Sequence, residues 1–453
     1  MAQSQNWSAL LERVQPGTSV QAASPDGTTA LHWAVYYDQP SVVERLIDAG
    51  ADVQAANRYG VRPLSIACQN GNTAIVKMLL EAGADPDTAL PGGETALMTA
   101  ARTGVPGPVQ LLIEHGADVG ATERKGQTAL MWAAAEGNVE AVDLLLKAGA
   151  DPRRKLKSGF TPYFFAVREG RQAVVQRFLL AGIDPNETMA PERKTNGGPK
   201  EGMSGLILAT LNGHLELALE LVRAGADPND KRVGYTALHA ITWVRKPLRG
   251  DGDPPPQGSG KVTSLDFVRQ MVAAGADVNA RHGKAAAGNL RLNKTGATPF
   301  LLAAETGDLP LLKLLLELGA DPHLQNVDHC TPLLAAAGVG VLGNGDESAG
   351  TEEEAIATVQ MMLDLGLDIN AVDDNGNTAM HGAAFKSWVH LVHYLAQHGA
   401  DIRVWNRPNV RGWTPLDIAR GHRPGNFRPS PETIVAIESV MRSAGVEPSA
   451  QKP

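Results

Sequence analysis

The chain is short of several things that would mark out a particular chemistry. It has only two cysteines, Cys68 and Cys330, far apart in sequence. That excludes a disulfide framework and every cysteine spacing that holds a metal. Aromatic residues make up 5% of it, and basic residues are no surplus: 41 Lys and Arg stand against 49 Asp and Glu. A net charge of −8 gives the whole chain no general pull toward nucleic acid. No apolar run approaches the ~18 residues of a membrane-spanning helix. The opening residues MAQSQNWSALLERV lack the basic start and apolar stretch of a signal peptide. A cytoplasmic chain is the expectation. The small, polar Ala2–Gln5 keeps open a processed form, exported or periplasmic, with Met1 added.

What is present is one stretch repeated. Residues 126–151 read GQTALMWAAAEGNVEAVDLLLKAGAD. Gly126 closes a turn, Thr128 can cap a helix through its hydroxyl, and Ala129–Ala135 is an apolar run that makes that helix. Glu136–Gly137–Asn138 breaks it. Val139, Val142, Leu145 and Leu146 then give a second helix one apolar stripe, ended by Gly149 in a left-handed cap. Neither helix is long enough to stand alone, so the unit needs neighbours. The Thr128 position recurs at Thr29, Arg62, Thr95 and Thr161, 33 residues apart, and again at Ser204, Thr236, Thr298, Thr331, Thr378 and Thr414. The closing glycine recurs from Gly50 to Gly399, with a degenerate last copy at Gly445. That makes eleven repeats. Thr161–Pro162 and three later Thr-Pro pairs join an N-cap to a proline at the first helical position.

The segments TALHWA (29–34), TALMWA (128–133), TALHAI (236–241), TAMHGA (378–383) and TPLDIA (414–419), with the GAD endings, resemble the ankyrin-repeat family over about residues 6–447. The resemblance implies an all-α solenoid of helix pairs with β-hairpin fingers, its concave face formed by fingers and first helices. It also implies that His32, His239 and His381 are structural hydrogen-bonders between neighbouring turns. It implies no chemistry, because the family shares an architecture and not a reaction. The organisation expected is a half-repeat cap at 1–25, in which Trp7, Leu10, Leu11 and Val14 make one helical stripe. Regular repeats 1–5 follow at 26–184, repeats 6–9 with insertions at 185–370, repeats 10–11 and a C-terminal cap at 371–447, and a tail at 448–453.

Counting from threonine to glycine places the insertions at 187–200, 244–262, 282–293 and 338–354. Gly338, Gly340 and Gly343 form a literal GxGxxG. It lacks the strand and helix that a phosphate site needs, so it reads as a loop. Thr351 and Glu354 read as a capping box. His390 and His393 share a helix face that a metal would find weakly ligating, and a solvated face is the plainer reading. No serine, cysteine or carboxylate pair has a catalytic context, so no catalytic residue, cofactor or metal is expected.

The expected function is a non-catalytic scaffold, a monomer, that binds a protein through its concave face and finger tips. The candidate contact residues are Tyr36, Tyr37, Arg58, Tyr59, Arg124, Arg154, Lys157, Arg232, Trp243, Arg281 and Trp405. They are of the types that interfaces favour. Core packing is the alternative for Trp405, and it is the expectation for Trp33 and Trp132. Seventeen of the 41 basic residues fall in loops of the central repeats, from Arg153 to Lys294. On an acidic protein they point to an acidic partner. Two rivals stay open: polyanion or nucleic-acid binding by that basic strip, and a ligand or enzyme site built by the insertions.

Overall fold

The computed structural model describes residues 7–14, 20–192, 200–247, 256–283, 292–340, 350–422 and 428–448. The chain divides into two compact units, Met1–Gly202 and Met203–Pro453. In the first, α1 (Trp7–Arg13) precedes five helix pairs: α2 (Ala30–Tyr36) and α3 (Pro40–Asp48), α4 (Pro63–Asn70) and α5 (Thr73–Glu81), α6 (Ala96–Thr103) and α7 (Pro106–Glu114), α8 (Ala129–Glu136) and α9 (Val139–Lys147), α10 (Pro162–Arg168) and α11 (Gln172–Leu180). In the second the pairs are α12 (Gly205–Leu211) and α13 (Leu215–Arg223), α14 (Ala237–Arg245) and α15 (Ser264–Ala273), α16 (Pro299–Glu305) and α17 (Leu309–Glu317), α18 (Pro332–Ala336) and α19 (Glu352–Asp364), α20 (Ala379–Lys386) and α21 (Val389–Gln397). A single turn, α22 (Ile402–Trp405), then leads to α23 (Pro415–Ala419) and α24 (Pro431–Ser443). Within each unit the first helices pack side by side in one layer and the second helices in another. The helical repeat solenoid is as the sequence implied.

Every first helix starts at the residue aligned with Thr128. Thr95 Oγ1 accepts the Met98 N–H at 3.2 Å and Thr298 Oγ1 accepts that of Leu301 at 3.2 Å. Arg62 offers no side-chain cap and relies on Pro63 in the first turn, a position whose N–H would be unpaired anyway. Second helices end in a Schellman turn. Gly83 takes φ +89 there, and the following Ala84 N–H reaches back to Leu79 O at 2.9 Å. First helices are buried almost all round. In α8, Ala129, Leu130, Met131, Ala133 and Ala134 are all buried, and only Trp132, Ala135 and Glu136 face outward. Such a helix needs neighbours on three sides, which the stack supplies.

The fingers are turns closed by hydrogen bonds, with isolated bridges at Ala23–Thr29 and Ala89–Thr95. Their tips are tied together by the backbone: Arg58 N–H donates to Asp26 O at 2.8 Å and Arg124 N–H to Gly92 O at 2.9 Å. Farther out, amides bridge successive repeats. Asn229 Nδ2 donates to Gly275 O at 2.8 Å while its Oδ1 accepts the Asp277 N–H at 2.7 Å.

Most turns between the two helices of a pair carry a left-handed glycine, such as Gly71 and Gly137. In two of them the residue is Asp38 (φ 56) or Ser387 (φ 57). The left-handed region costs a residue with a Cβ about 1–2 kcal/mol. Ser387→Gly is therefore expected to stabilise the second unit by about 0.5–1 kcal/mol, after the added flexibility of glycine in the unfolded chain. The urea midpoint should rise; an unchanged or lower midpoint would show that local bonds offset the strain.

Candidate functional site

The outward face of the first-helix layer is built from positions spaced three and four apart, which share one side of a helix. In the first unit these are Trp33 and Tyr36 on α2 with Tyr37 at its C-cap, Gln69 and Asn70 on α4, Arg102 on α6, Trp132 and Glu136 on α8, and Arg168 on α10 with Glu169 at its C-cap. This face is open. Tyr36 is 58% exposed, Gln69, Arg102 and Glu136 are exposed, and Trp33, Tyr37 and Trp132 are half-buried. Trp33 and Trp132 are thus not core residues. The apolar run around each of them hides which side meets solvent. Guanidinium groups lie on several rings here. Arg102 is 5.1 Å from the Trp132 ring, Arg168 5.1 Å from Phe165, and Arg58 5.9 Å from Tyr59 at a finger tip.

Most of the same positions in the second unit are covered, although Leu211, Asn212 and Trp243 stay half-buried. Leu208, Ala240, Val244, Leu302, Glu305, Thr306, Ala335, Phe385 and Lys386 are all buried. The described ends of the insertions account for much of this. Leu292 is buried and donates its N–H to Gly340 O at 2.7 Å. Lys294 holds its ammonium 4.5 Å from the Trp243 ring, and Tyr235 meets that ring edge to face at 4.9 Å. Lys246 reaches Thr306 O, Gly307 O and, at 2.6 Å, the Glu354 carboxylate. At the other end of its insertion Ser259 bonds the His214 imidazole at 2.9 Å. The two described glycines of the GxGxxG are explained by this packing. A Cβ on Gly338 would lie 2.6 Å from Lys386 Cγ, and one on Gly340 would lie 2.5 Å from Leu292 N. Residues 193–199, 248–255, 284–291 and 341–349, the middles of the four insertions, lie outside the described residues.

The candidate contact residues sort accordingly. Tyr36, Arg58, Tyr59, Arg124, Arg154 and Lys157 are exposed in the first unit, with Tyr37 half-buried beside Tyr36. Among the described residues, the side chains of Arg124, Arg154 and Lys157 have no ion-pair or hydrogen-bond partner. In the second unit the candidates are engaged. Arg232 pairs with Asp230 at 2.8 Å, Arg281 donates to Gln325 O, and Trp243 lies under Lys294. Trp405 must be withdrawn from the surface. It is 2% exposed in α22, at the floor of a cleft of about 430 Å³ whose rim includes His393, Gln397, Ser439 and Ser443. The one-turn helix folds its indole inward, which no spacing in the sequence announces. The basic strip also shrinks, because Arg245 and Lys246 are ion-paired within the fold. Arg193, Lys194, Arg249, Lys284 and Arg291 lie outside the described residues.

Of the three motif histidines, His32 and His239 bridge neighbouring turns as the sequence implied, whereas His381 bonds only Thr378 of its own turn and its buried Nε2 has no partner among the described residues. His32 Nδ1 faces the Thr29 hydroxyl at 2.8 Å and its Nε2 faces Val61 O, in the next repeat, at 3.0 Å. His239 repeats the arrangement with Thr236 and Ala297 O. Thr351 and Glu354 form the expected capping box. His390 pairs with Glu352 at 2.8 Å, and hydrogen bonding to that carboxylate raises its pKa. Among the described residues no cluster of three His, Cys, Asp or Glu side chains could hold a metal. Both thiols are buried, and burial pushes Cys68 up to about 12, so neither is primed for reaction. No described helix is long and apolar enough to cross a membrane.

A family model described as "Ankyrin repeats (3 copies)" matches residues 2–90, 97–189 and 349–425, and "Ankyrin repeat" matches 295–327. Ankyrin repeat and SOCS box protein 16 of Homo sapiens is 35% identical over 242 residues, 47% of this chain and 46% of that protein. B-cell lymphoma 3 protein homolog of Mus musculus is 34% identical over 190 residues, 36% of this chain and 39% of that protein. The chain therefore spans less than half the length of these relatives. A crystal structure of the human ASB11 ankyrin repeat domain aligns over 58% of this chain and 100% of that one, with TM-score 0.45 and 18% identity.

Proposed function

The chain belongs to the ankyrin-repeat family, and from that premise we propose that it is a non-catalytic scaffold that binds a protein partner on the open face and finger tips of its first unit. Binding proteins is what ankyrin repeats generally do. The observation that carries the finer reading is the contrast between the two units. Equivalent positions include the exposed Tyr36 and Arg102 and the half-buried Trp33, Tyr37 and Trp132 in Met1–Gly202, and are mostly buried in Met203–Pro453, where Trp243 stays half-buried but carries Lys294 on its ring. Exposed aromatic and arginine side chains are what binding hot spots use. The free basic groups at the fingers, Arg124, Arg154 and Lys157, suit an acidic segment, chiefly by raising the association rate and fixing orientation.

The test is direct. A fluorescent glutamate-rich peptide should bind the protein at low salt. The pair Arg154→Glu and Lys157→Glu should weaken it by about tenfold, the order expected when two attractive charges become repulsive. Single-stranded DNA serves as the control polyanion. If it binds as tightly as the peptide and is lost as steeply with salt, the polyanion reading replaces this one. Unchanged peptide affinity in the double variant would remove the basic fingers from the site.

A further inference from the structure

The rings of repeat 1 form a separate surface. Trp33 and Tyr37 lie nearly parallel, 19° apart with centroids at 5.9 Å. Tyr36 stands at 87° to Trp33 and at 82° to Tyr37, and Trp7 from α1 meets Tyr37 at 5.8 Å. Two roughly parallel rings thus meet a third at right angles in an aromatic corner, with Tyr36 more than half exposed and Trp33 and Tyr37 half-buried. The corner has a distinctive charge setting. Among the described residues, no Lys or Arg lies over any of these four rings, whereas Tyr59, Trp132, Phe165, Trp243, Trp388 and Trp413 each carry one. Neither α2 nor α4 contains a Lys or Arg, the one basic side chain of α1 is Arg13 in its last turn, and Arg62 before α4 turns to Thr88. The turn that follows Tyr37 carries the exposed carboxylate of Asp38, hydrogen-bonded to Asn72 Nδ2 at 2.6 Å.

The second unit shows what such a position holds when it is filled. Trp243 lies seven residues after Thr236, as Tyr36 does after Thr29, and its ring holds the Lys294 ammonium at 4.5 Å. Ring quadrupoles attract a cation on their faces, and an adjacent carboxylate adds to the attraction. We propose that the Trp33–Tyr36–Tyr37 corner is the seat of an arginine side chain presented by the partner, occupied in trans as the Trp243 ring is occupied in cis by Lys294. This rests on the reading that the first unit's face is where a protein docks, and it adds a cationic anchor at repeat 1 to an acidic stretch at the fingers of repeats 3–5. A partner segment carrying both signs would have only one orientation along the face.

The test uses the full chain and two short peptides, Gly-Gly-Arg-Gly-Gly and the same peptide with citrulline, the neutral isostere of arginine. Aromatic NMR resonances of Trp33, Tyr36 and Tyr37 should shift saturably with the arginine peptide. The citrulline peptide should bind at least threefold more weakly. Tyr36→Ala should erase that preference, and Tyr36→Phe, which keeps the ring and its packing, should retain it. Equal affinity for the two peptides, a preference that survives Tyr36→Ala, or no shift at these three rings would overturn the proposal. Its failure is separable from that of the scaffold reading, because the glutamate-rich peptide reports on Arg154 and Lys157, four repeats away.

Discussion

Asp308→Ala is expected to cost the second unit about 3–5 kcal/mol, the usual range when one partner of a buried ion pair is removed. Asp308 is 1% exposed and holds Arg245 through two contacts, Nε at 2.6 Å and Nη2 at 2.9 Å. The same carboxylate accepts the Leu311 N–H at 3.2 Å and so caps α17, a contribution of about 1 kcal/mol by itself. Truncation leaves a guanidinium in a site with little water, with only the Ser264 hydroxyl beside it. Against a typical total of about 5–15 kcal/mol, such a loss is large. The urea midpoint of the transition that includes the second unit reads it. Arg245→Met combined with Asp308→Leu should recover much of the loss, because removing both charges removes the desolvation penalty. A fall of under about 1 kcal/mol in the single variant would show that the pair is hydrated and conventional.

The second large effect is on pH dependence. His239 is fully buried, and its Nδ1 accepts both the Thr236 hydroxyl at 2.9 Å and the Thr236 N–H at 3.3 Å. In that tautomer, inferred from the network, Nε2–H donates to Ala297 O. Protonation would point a new N–H at the backbone donor and place a charge in a dry site. Burial accordingly depresses His239 to about 3 and His381 to about 4, and lowers His32 as well. Folded pKa values below the ordinary value near 6.5 mean that the unfolded chain binds more protons in between. The stability is complete above about pH 6.5 and is lost as pH falls toward 4. Each such histidine contributes a slope approaching about 1.4 kcal/mol per pH unit in that window. His239→Gln should lower stability at pH 7.5 and flatten the fall between pH 6 and 4.5 by about that slope. A variant whose pH profile parallels the wild type would mean that His239 is hydrated or charged in the fold.

The fold was legible because its rules are local and occur at fixed offsets. A cap hydroxyl at Thr128, a left-handed glycine at Gly149 and a proline after Thr161 each report on the backbone of their own turn. Faces and long contacts were not legible. The run Ala129–Ala135 is apolar on all sides, so nothing in it says that Trp132 looks outward. Trp405 reads as a finger residue until the single turn of α22 is seen. Of the candidate contact residues, those in the regular repeats stay on the surface. Arg232, Trp243 and Arg281 find partners within the chain, one of them, Lys294, at the end of an insertion. Insertion lengths could be counted, but where Leu292 and Lys294 come to rest depends on tertiary contacts that no periodicity records.

The tie from Lys246 to Glu354 joins residues 108 positions apart and skips a whole repeat. In a plain array each repeat leans only on its neighbours, so the array can fray from either end one module at a time. Here repeats 7 and 9 are clasped over repeat 8, and Arg245 fastens repeat 7 to the start of α17 inside it. Repeats 7–9 should therefore open as one block in hydrogen exchange, while the unclasped repeats of the first unit open in smaller steps. That clasp also lengthens the loop to be closed before the block is complete, so the same insertions that close its surface should make it the slower part of the chain to fold.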